Sequence, residues 1–562
     1  MLGQTVELLS QLLWGRGTIA LTLLCGLYFT AGTGFLPLTR LPTVLKRTVG
    51  SLFQKRDRKS GGVSPFAAVS TALGGTMGVG NIVGVGAALA LGGAGSIFWM
   101  WIGAFLGMMT KYAEVLLAVR WRQRDKGAKA LRGGPMYYIS CGIPNAFGKA
   151  LAVLFCVFCA LASFSSGSMT QTGAIAEALQ ESFSLPPLLC AAALTLLCGW
   201  VLHGGCDRAV RTCTALVPLM SVFYLVGCGV VLLTFRQNIP DALTQIVSGA
   251  FSPASAAAGG VSGFFVSMRV GIARGIFTHE AGLGSASIAH ACSGADSPVE
   301  QGFWGIFEVF CDTILVCSVT ALAILTSGVP LGPSAAQAAF TLVMGRAGGR
   351  MLAVAISLFA FASVISFCLY GQRCIEYLFP NSRLALPLYR LLFLTGCAAG
   401  CFAQLPLVFS LADLLNACLL LPNLAALLIL SCGWLVSCRS QPADPLVVME
   451  VQHYDTNSNY LEIPTLVLPD GQKADEGLTS INRALSGLRD SYLPLLEGPL
   501  PSGTDGYDNC CLLYPAETDR YLNLLFFQTY FVSDLNTGHV LSLVYDKEER
   551  RQVSLEDALA LA

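Results

Sequence analysis

The chain has 562 residues, of which 54% are hydrophobic and 12% charged, and its mean hydropathy is +0.63. Soluble domains carry about 25% charged residues, so this composition excludes an ordinary soluble enzyme or nucleic-acid-binding protein and predicts a polytopic membrane protein in a lipid bilayer. Residues 441–562 hold 19 acidic and 7 basic side chains, a net charge of −12, whereas the residues before them hold 15 acidic and 27 basic ones, a net of +12. This asymmetry predicts a basic membrane body followed by an acidic, soluble tail.

Eleven apolar runs are long enough to span a membrane as helices. They cover approximately residues 17–36, 65–92, 95–119, 149–176, 186–202, 213–235, 257–275, 302–326, 350–370, 386–404 and 407–437. Basic residues concentrate in alternate loops, above all in 37–62 and 120–132, and the positive-inside rule makes such loops cytoplasmic. The N-terminus is therefore predicted outside the cell and the tail inside it.

The span at 65–92 is unusual because it is dense in glycine. The glycines are Gly74, Gly75, Gly78, Gly80, Gly84 and Gly86. Each weakens a helix by roughly 1 kcal/mol relative to alanine, and freed backbone groups are tolerated in a membrane only where they line a cavity. A helix interrupted in this way indicates a transporter's binding site. The alternative is a close helix-packing face made of small residues.

Two other spans carry polar side chains of interest. Gln171 follows a run of serines in 163–170, and its amide can bind the carboxylate or ammonium of a zwitterion or bond to a neighbouring helix. Ser363 and Ser366 lie in an aromatic-rich span. Their hydroxyls, with carbonyls from a loosened helix, could ligate a hard cation, or they could bond only to their own helix.

Ionisable residues cluster at 269–290, at the end of an apolar span. Arg274, His279 and Glu280 are followed by Gly282 and Gly284. Such groups beside a membrane core mark a pathway, a gate or an ion pair. The alternative is that the arginines extend to the interface and Glu280 pairs with one of them.

The remaining segments are read as loops and as a small tail domain. Residues 133–143, 236–250 and 327–349 are predicted as loops, the last of them partly helical over 335–343. In the tail, strands are predicted at 446–454 and 459–468, a helix at 475–493, a hairpin from 521–534 and 539–546 with its turn at 536–538, and a helix at 554–562. No nucleophile motif, His/Cys cluster or phosphate loop accompanies them, so no catalytic residue is predicted and the chain is not expected to be an enzyme.

Several long motifs, in order, resemble the alanine or glycine:cation symporter family, the sodium:alanine symporters of bacteria and archaea. They lie at 78–114, 133–138, 271–291, 301–313, 359–379 and 412–424. The resemblance implies a leucine-transporter type of fold, in which one extra N-terminal helix precedes two inverted repeats of five helices. The first and sixth core helices, 65–92 and 257–275, would be broken. It also implies a prokaryotic cell membrane and Na⁺-coupled uptake of alanine or glycine by alternating access.

Site residues follow from the same resemblance. It implies a substrate site at Gly78, Val79, Gly80, Asn81, Gln171, Phe264 and Phe367, a Na⁺ site at Gly74, Met77 and Ser363, and a cytoplasmic gate at Arg274 and Glu280. The chain departs from the family pattern at four places. Val79 stands where Thr is usual, Ala362 where Ser or Thr is usual, Ser366–Phe367 where Gly-Trp is usual, and Thr278–His279 where Ser-Asn is usual.

Together these features predict an all-α polytopic membrane protein with a small α+β soluble C-terminal domain. The predicted domains are 1–62, an extra transmembrane helix and basic linker; 63–438, the transporter core; and 439–562, the acidic domain. The predicted function is Na⁺-coupled symport of a small neutral amino acid without an organic cofactor, with H⁺ as an alternative coupling ion because of His279. A second hypothesis is an amino-acid sensor, or a transporter regulated by its tail through a cytoplasmic partner.

Overall fold

The computed structural model describes residues 6, 9–10, 12–53, 62–124, 131–251, 262–295 and 297–431, together with short stretches of the tail between 448 and 553. The chain separates into two compact units, Met1–Leu430 and Ser431–Ala562. The first is helical and the second contains a β-sheet. Each unit is described by itself below.

The first half of the helical unit contains twelve of the described α-helices. They are α1 Arg16–Gly32, α2 Leu36–Thr39, α3 Leu41–Arg47, α4 Pro65–Thr76, α5 Val83–Gly92, α6 Gly95–Arg120, α7 Pro135–Gly142, α8 Ala146–Phe164, α9 Thr170–Phe183, α10 Pro187–His203, α11 Gly205–Thr234 and α12 Ile239–Phe251. Short 3₁₀ segments occur at Val49–Phe53, Val79–Asn81 and Arg236–Asn238, and a π-helical turn at Ser165–Met169 joins α8 to α9. Strands β1 Gln123–Arg124 and β2 Leu131–Arg132 form a small antiparallel pair.

The second half contains seven more described helices. They are α13 Ser262–His279, α14 Ser287–Ala291, α15 Pro298–Val309, α16 Ser318–Ser327, α17 Ala335–Leu378, α18 Ala385–Gly400 and α19 Leu405–Ser431. A π-helical stretch, Phe310–Cys317, joins α15 to α16. α17 is kinked at Gly345, where φ is +60°.

The helices are long and apolar enough for a multi-pass membrane protein. Within the described residues, six continuous helical runs have the length and composition needed to cross a membrane. They are Gly95–Arg120, Ala146–Phe183, Gly205–Thr234, Pro298–Ser327, Ala335–Leu378 and Leu405–Ser431. Shorter apolar helices, such as Pro187–His203 and Ala385–Gly400, fall on other predicted spans. The full count of eleven spans and the inverted repeat stay predictions.

The glycine-rich span is interrupted where its sequence predicted. α4 ends at Thr76, Gly78 is extended with φ −120° and ψ −155°, and α5 begins only at Val83. An ideal Cβ on Gly78 would lie 2.6 Å from Ser363 Oγ, and one on Gly75 would lie 2.6 Å from the Tyr370 hydroxyl. Glycine is required at both positions because α17 approaches the backbone closely.

The second interruption lies later than predicted. The expected break within 257–275 is wrong for the described part of that span, because α13 runs unbroken from Ser262 to His279. Gly271 in α13 serves close packing instead, since a Cβ there would meet the Ser96 carbonyl oxygen of α6 at 2.2 Å. The chain leaves the helix at Glu280, Gly282 and Gly284, whose φ values of 53°, 94° and 79° are left-handed.

Two segments predicted as loops are helical. Residues 133–143 contain α7, and 236–250 contain most of α12. In both, a proline stands in the first turn, where its missing N–H costs no hydrogen bond. The partly helical character predicted over 335–343 is confirmed, because α17 begins at Ala335.

The tail contains a six-stranded sheet in the order β3-β4-β5-β6-β7-β8. The strands are β3 Val448–Thr456, β4 Asn459–Val467, β5 Asp508–Glu517, β6 Tyr521–Val532, β7 Leu535–Asp546 and β8 Arg551–Val553. β4 and β5 are parallel and the other neighbours antiparallel. The predicted turn at 536–538 is wrong, because strand pairing runs through these residues and places Val532 opposite Leu535. The predicted helix at 554–562 lies outside the described residues.

Candidate functional site

A small cavity lies at the first helix interruption. It is lined by Gly75, Thr76, Gly78, Gly80, Ser166, Gln171, Phe277, Glu280, Phe367 and Asn416. Its free volume is about 10 Å³, room for about one water molecule. Gly78, Gly80, Gln171, Phe367 and Glu280 were expected at a site from the sequence, and the structure brings them together here.

Gln171 connects this cavity to the interrupted helix. Its side-chain Oε1 accepts a hydrogen bond from the Val79 backbone N–H at 3.1 Å, and its Nε2 donates to the Ser166 carbonyl at 2.9 Å. Ser166 belongs to the π-helical turn between α8 and α9, a type of turn that is frequent at functional sites. Gln171 thus makes the inter-helix bond that was the alternative reading, while its side chain still lines the cavity.

Asn81 braces the interruption and is not among the cavity-lining residues. Its Oδ1 accepts from the Gly78 N–H at 3.1 Å, and its Nδ2 donates to the carboxylate of Asp312 at 2.8 Å and to the Asp312 carbonyl at 3.1 Å. Both ends of the amide are therefore engaged within the protein. The side chain thus stabilises the non-helical backbone at Gly78 without lining the cavity.

The residues expected at a cation site are adjacent in the fold. The Ser363 hydroxyl of α17 donates to the Gly74 carbonyl at 2.9 Å and lies 3.3 Å from the Gly75 carbonyl. Ser366 donates to the Thr71 carbonyl at 2.7 Å. These are neutral oxygens at the end of a broken helix, which is the donor chemistry that a hard cation prefers. Met77 is buried nearby, with its sulfur 3.5 Å from the Ser221 hydroxyl.

One predicted aromatic residue is not at the cavity. Phe264 packs edge-on against Trp99, with ring centroids 5.3 Å apart, and does not line the cavity. Phe277, which lies further along α13, lines the cavity instead, together with Phe367. The displacement has the same cause as the late second interruption, because α13 stays helical to His279 and carries Phe277 to the cavity.

The two predicted gate residues make different contacts. Arg274 donates to both carboxylate oxygens of Asp413 in α19, at 2.7 and 3.3 Å, and its guanidinium lies 5.8 and 5.9 Å from the ring centroids of Phe277 and Phe409. Glu280 lines the cavity and accepts a hydrogen bond from Ser285. Among the described contacts, Arg274 thus pairs with Asp413 and not with Glu280, contrary to the alternative interpretation.

Sequence reasoning missed a buried charge network beside the second interruption. Lys111 of α6 lies 3.5 Å from Glu308 of α15, with both side chains fully buried. Glu308 also contacts His290 of α14 at 2.8 Å, whose other ring nitrogen lies 2.8 Å from Gln301. The signal was present, because ionisable residues inside the predicted spans 95–119 and 302–326 are expensive in a membrane and mark functional or pairing positions.

Glu114, one turn along α6 from Lys111, anchors the second interruption directly. Its Oε1 accepts from the Gly282 N–H at 2.8 Å and from Asn423 Nδ2 at 2.7 Å. Asn423 also donates to the Gly282 carbonyl at 2.9 Å and accepts from Tyr138. Side chains of α6 and α19 thus bond to both backbone polar groups of Gly282 at the interruption, and Tyr138 of α7 holds the Asn423 amide.

A helical bundle with apolar spans, an interrupted helix at its centre and a small polar cavity there defines a multi-pass membrane transporter. Residues 1–439 match the model of the sodium:alanine symporter family, and the chain belongs to that family. Its members are transporters and not enzymes.

Two relatives extend over most of the chain. It is 39% identical over 455 residues to an uncharacterized transporter of Haemophilus influenzae, and the aligned region covers 80% of this chain and 97% of the relative. It is 37% identical over 435 residues to the sodium/alanine symporter AgcS of Methanococcus maripaludis, covering 76% and 94%. The crystal structure of MhsT in complex with L-phenylalanine superposes with a TM-score of 0.51 at 15% identity, over 67% of this chain and 90% of that one. This last similarity shows the fold alone, which is of the leucine-transporter type.

Proposed function

We propose that this protein is a Na⁺-coupled symporter that carries alanine or glycine into the cell by alternating access. The observation that carries the proposal is the cavity at the interrupted helix, where backbone groups and the side chains of Gln171, Ser166 and Asn416 meet two aromatic rings. Polar groups of this kind match the ends of a zwitterion. The cavity has room for about one water molecule in this conformation, so it must open during alternating access to admit even a small amino acid. The similarity to a sodium/alanine symporter supports the same substrate and ion.

The substrate carboxylate binds beside Gly78, Val79 and Gly80, at the N-terminal end of α5. A helix N-terminus carries partial positive charge, which favours an anion. The N–H groups of Gly78 and Val79 donate to Asn81 and Gln171 in this conformation, so the carboxylate would bind as these bonds are exchanged. Gln171 orients the carboxylate through its amide, and the carboxylate of Glu280 lies on the same cavity, where it can accept from the ammonium. Phe277 and Phe367 limit the space for the side chain, and Asn81 holds the backbone from behind.

Sodium binds where Ser363 meets the end of α4. The carbonyl of Gly74 and the Ser363 hydroxyl are already 2.9 Å apart, and Met77 supplies the next backbone carbonyl after the helix ends. Because Ala362 contributes no hydroxyl, this site has fewer oxygens than the family pattern, and water completes the coordination.

Arg274, held by Asp413 and facing two aromatic rings, closes the path on the cytoplasmic side together with Glu280.

The proposal includes an orientation in the cell membrane of a prokaryote. The N-terminus lies outside, and the basic loops and the acidic tail lie in the cytoplasm, as the loop charges indicate. The proposal also divides the chain into three domains, 1–62, 63–438 and 439–562. Protease accessibility of the tail in right-side-out vesicles tests the orientation.

Uptake of labelled alanine and glycine into proteoliposomes tests the transport function. We expect uptake that requires an inward Na⁺ gradient and is unaffected by a pH gradient alone. Uptake driven by a pH gradient without Na⁺ would instead favour H⁺ coupling, and saturable binding without uptake would favour the sensor hypothesis. Competition by the other small neutral amino acids and by both enantiomers of alanine defines the substrate range.

A further inference from the structure

The second interruption contains a backbone conformation that its residue does not favour. Glu280 has φ 53°, in the left-handed region, and it is not a glycine. A side chain rarely adopts this conformation unless its surroundings impose it. Since Glu280 also lines the cavity, whatever imposes the conformation also aims this carboxylate.

His279 supplies a local contact that spans Glu280. Its ring Nδ1 accepts a hydrogen bond from the backbone N–H of Ala281 at 3.0 Å. Asn and Asp side chains close turns in the same way, by accepting from an N–H two residues further on. The histidine therefore closes a turn with Glu280 at its centre.

The other ring nitrogen faces a different part of the protein. Because Nδ1 accepts a hydrogen bond, the proton of the neutral ring is on Nε2. His279 is 1% exposed and, among the described residues, no hydrogen-bond partner meets Nε2. The ring borders a second small cavity between α1, α6 and α13, next to Gly107, where an added Cβ would lie 3.1 Å from its Cε1. The two nitrogens could thus serve two different roles, and these can be separated by substitution.

We propose that His279 is a positioning residue for transport, which acts through Nδ1 by holding the turn that presents Glu280 to the substrate cavity. This inference rests on the proposed function for its effect on uptake, but the turn itself can be measured without it. The Oδ1 of an asparagine can occupy the place of Nδ1, whereas the amide of a glutamine reaches the place of Nε2. His279→Asn should therefore preserve the turn, and His279→Gln should not.

The test compares the full-length wild type with His279→Asn, His279→Gln and His279→Ala. Hydrogen exchange followed by mass spectrometry reports the backbone amides of peptides that span 279–286. We expect exchange there to rise about tenfold in the Gln and Ala variants, the effect of losing one hydrogen bond, and to stay at the wild-type level in the Asn variant. Peptides from α10 serve as the internal control and should not change.

Sodium-driven alanine uptake is measured on the same four proteins. We expect His279→Asn to retain wild-type uptake, and the Gln and Ala variants to lose about tenfold in maximal rate. Equal exchange in all four proteins would overturn the inference, because neither ring nitrogen would then hold the turn. Rescue by Gln in place of Asn would also overturn it and would assign the role to Nε2 and the second cavity. If the wild type takes up no alanine while the exchange pattern holds, the proposed function fails and the positioning of the turn stands.

Discussion

Gly78 lies where the interrupted helix approaches both α9 and α17. An ideal Cβ there would lie 2.6 Å from Ser363 Oγ and 2.9 Å from Gln171 Oε1. Adding one methyl group must displace a proposed cation ligand or a proposed substrate ligand, and overpacking of this kind costs about 1–3 kcal/mol. We therefore expect Gly78→Ala to reduce Na⁺-driven alanine uptake at least about tenfold.

Gly84 provides the matched control for this substitution. It lies in α5, on the same interrupted span, but the nearest atom to its added Cβ is the Val79 carbonyl oxygen at 4.0 Å. Gly84→Ala should leave uptake unchanged when transporter amounts in the proteoliposomes are equal. Equal loss in both variants would mean that helix flexibility, and not the close approach at Gly78, is what uptake requires.

Ser363 permits a separate test of the proposed sodium site. Removing its hydroxyl takes away one oxygen beside Gly74, so Ser363→Ala should raise the Na⁺ concentration for half-maximal uptake about tenfold, with little effect on the amount of folded protein. Ser357, two turns earlier on α17, bonds only to the carbonyl of Ala353 on its own helix among the described contacts. Ser357→Ala should leave the Na⁺ dependence as it is, and a change of the same size there would remove the site-specific explanation.

At the scale of residues, the sequence predicted which residues lie near the cavity better than it predicted their individual contacts. Gly78, Gly80, Gln171 and Phe367 do meet at one cavity, because glycine density and an isolated amide in an apolar span are local signals. Asn81 was expected to face the cavity, and its amide is instead used by Gly78 and Asp312. The contact with Asp312 joins residues 231 positions apart, and no local pattern in a single sequence reports it.

At the scale of elements, the charge network ties α6, α14 and α15 together. Lys111 and Glu308 are fully buried at 3.5 Å, and His290 contacts the same carboxylate. Breaking a buried pair by removing one partner leaves an uncompensated charge and costs about 3–5 kcal/mol. We expect Lys111→Met to lower the melting temperature of the purified protein, and Lys111→Met combined with Glu308→Gln to recover most of the loss.

An exposed pair provides the comparison for this prediction. Arg47 and Glu300 lie 2.8 Å apart with side-chain exposures of 58% and 18%, and pairs of this kind contribute about 0–1 kcal/mol. Arg47→Ala should therefore leave the melting temperature nearly unchanged. If the double variant at 111 and 308 is no more stable than Lys111→Met alone, the two charges do not compensate each other.

Element boundaries were predicted well where a span is long and apolar, and poorly where a helix is short or interrupted. α10 and α18 begin and end within a few residues of their predicted limits, because hydrophobicity over some 17 residues is a strong signal. α7 was taken for a loop because of its turn-forming glycines, and α12 because it lies between two predicted spans. The second interruption was placed too early because the family resemblance assigned it to the span 257–275 without fixing its residues, whereas α13 stays helical from Ser262 to His279.

At the scale of the whole molecule, the division of the chain follows its charge. The net charge of −12 belongs to residues 441–562, and the compact units separate between Leu430 and Ser431. The family match ends at residue 439, and every residue that lines the cavity precedes residue 417. Every residue proposed for substrate and sodium thus lies in the first unit, and the predicted domain limit at residue 438 stays a prediction.

This division leads to a prediction that separates the two hypotheses for the tail. A chain truncated after residue 438 keeps the complete helical unit and every residue proposed for substrate and sodium, so its Na⁺-driven alanine uptake should stay within about twofold of the full-length protein. A fusion of residues 1–438 to an unrelated soluble domain of similar size controls for altered insertion and yield. A changed half-saturation constant or maximal rate, seen equally in the truncation and the fusion, would show that the acidic tail regulates transport. Unchanged kinetics in both would place any role of the tail outside the transport cycle, because neither the binding nor the transport of Na⁺ and amino acid would depend on the tail.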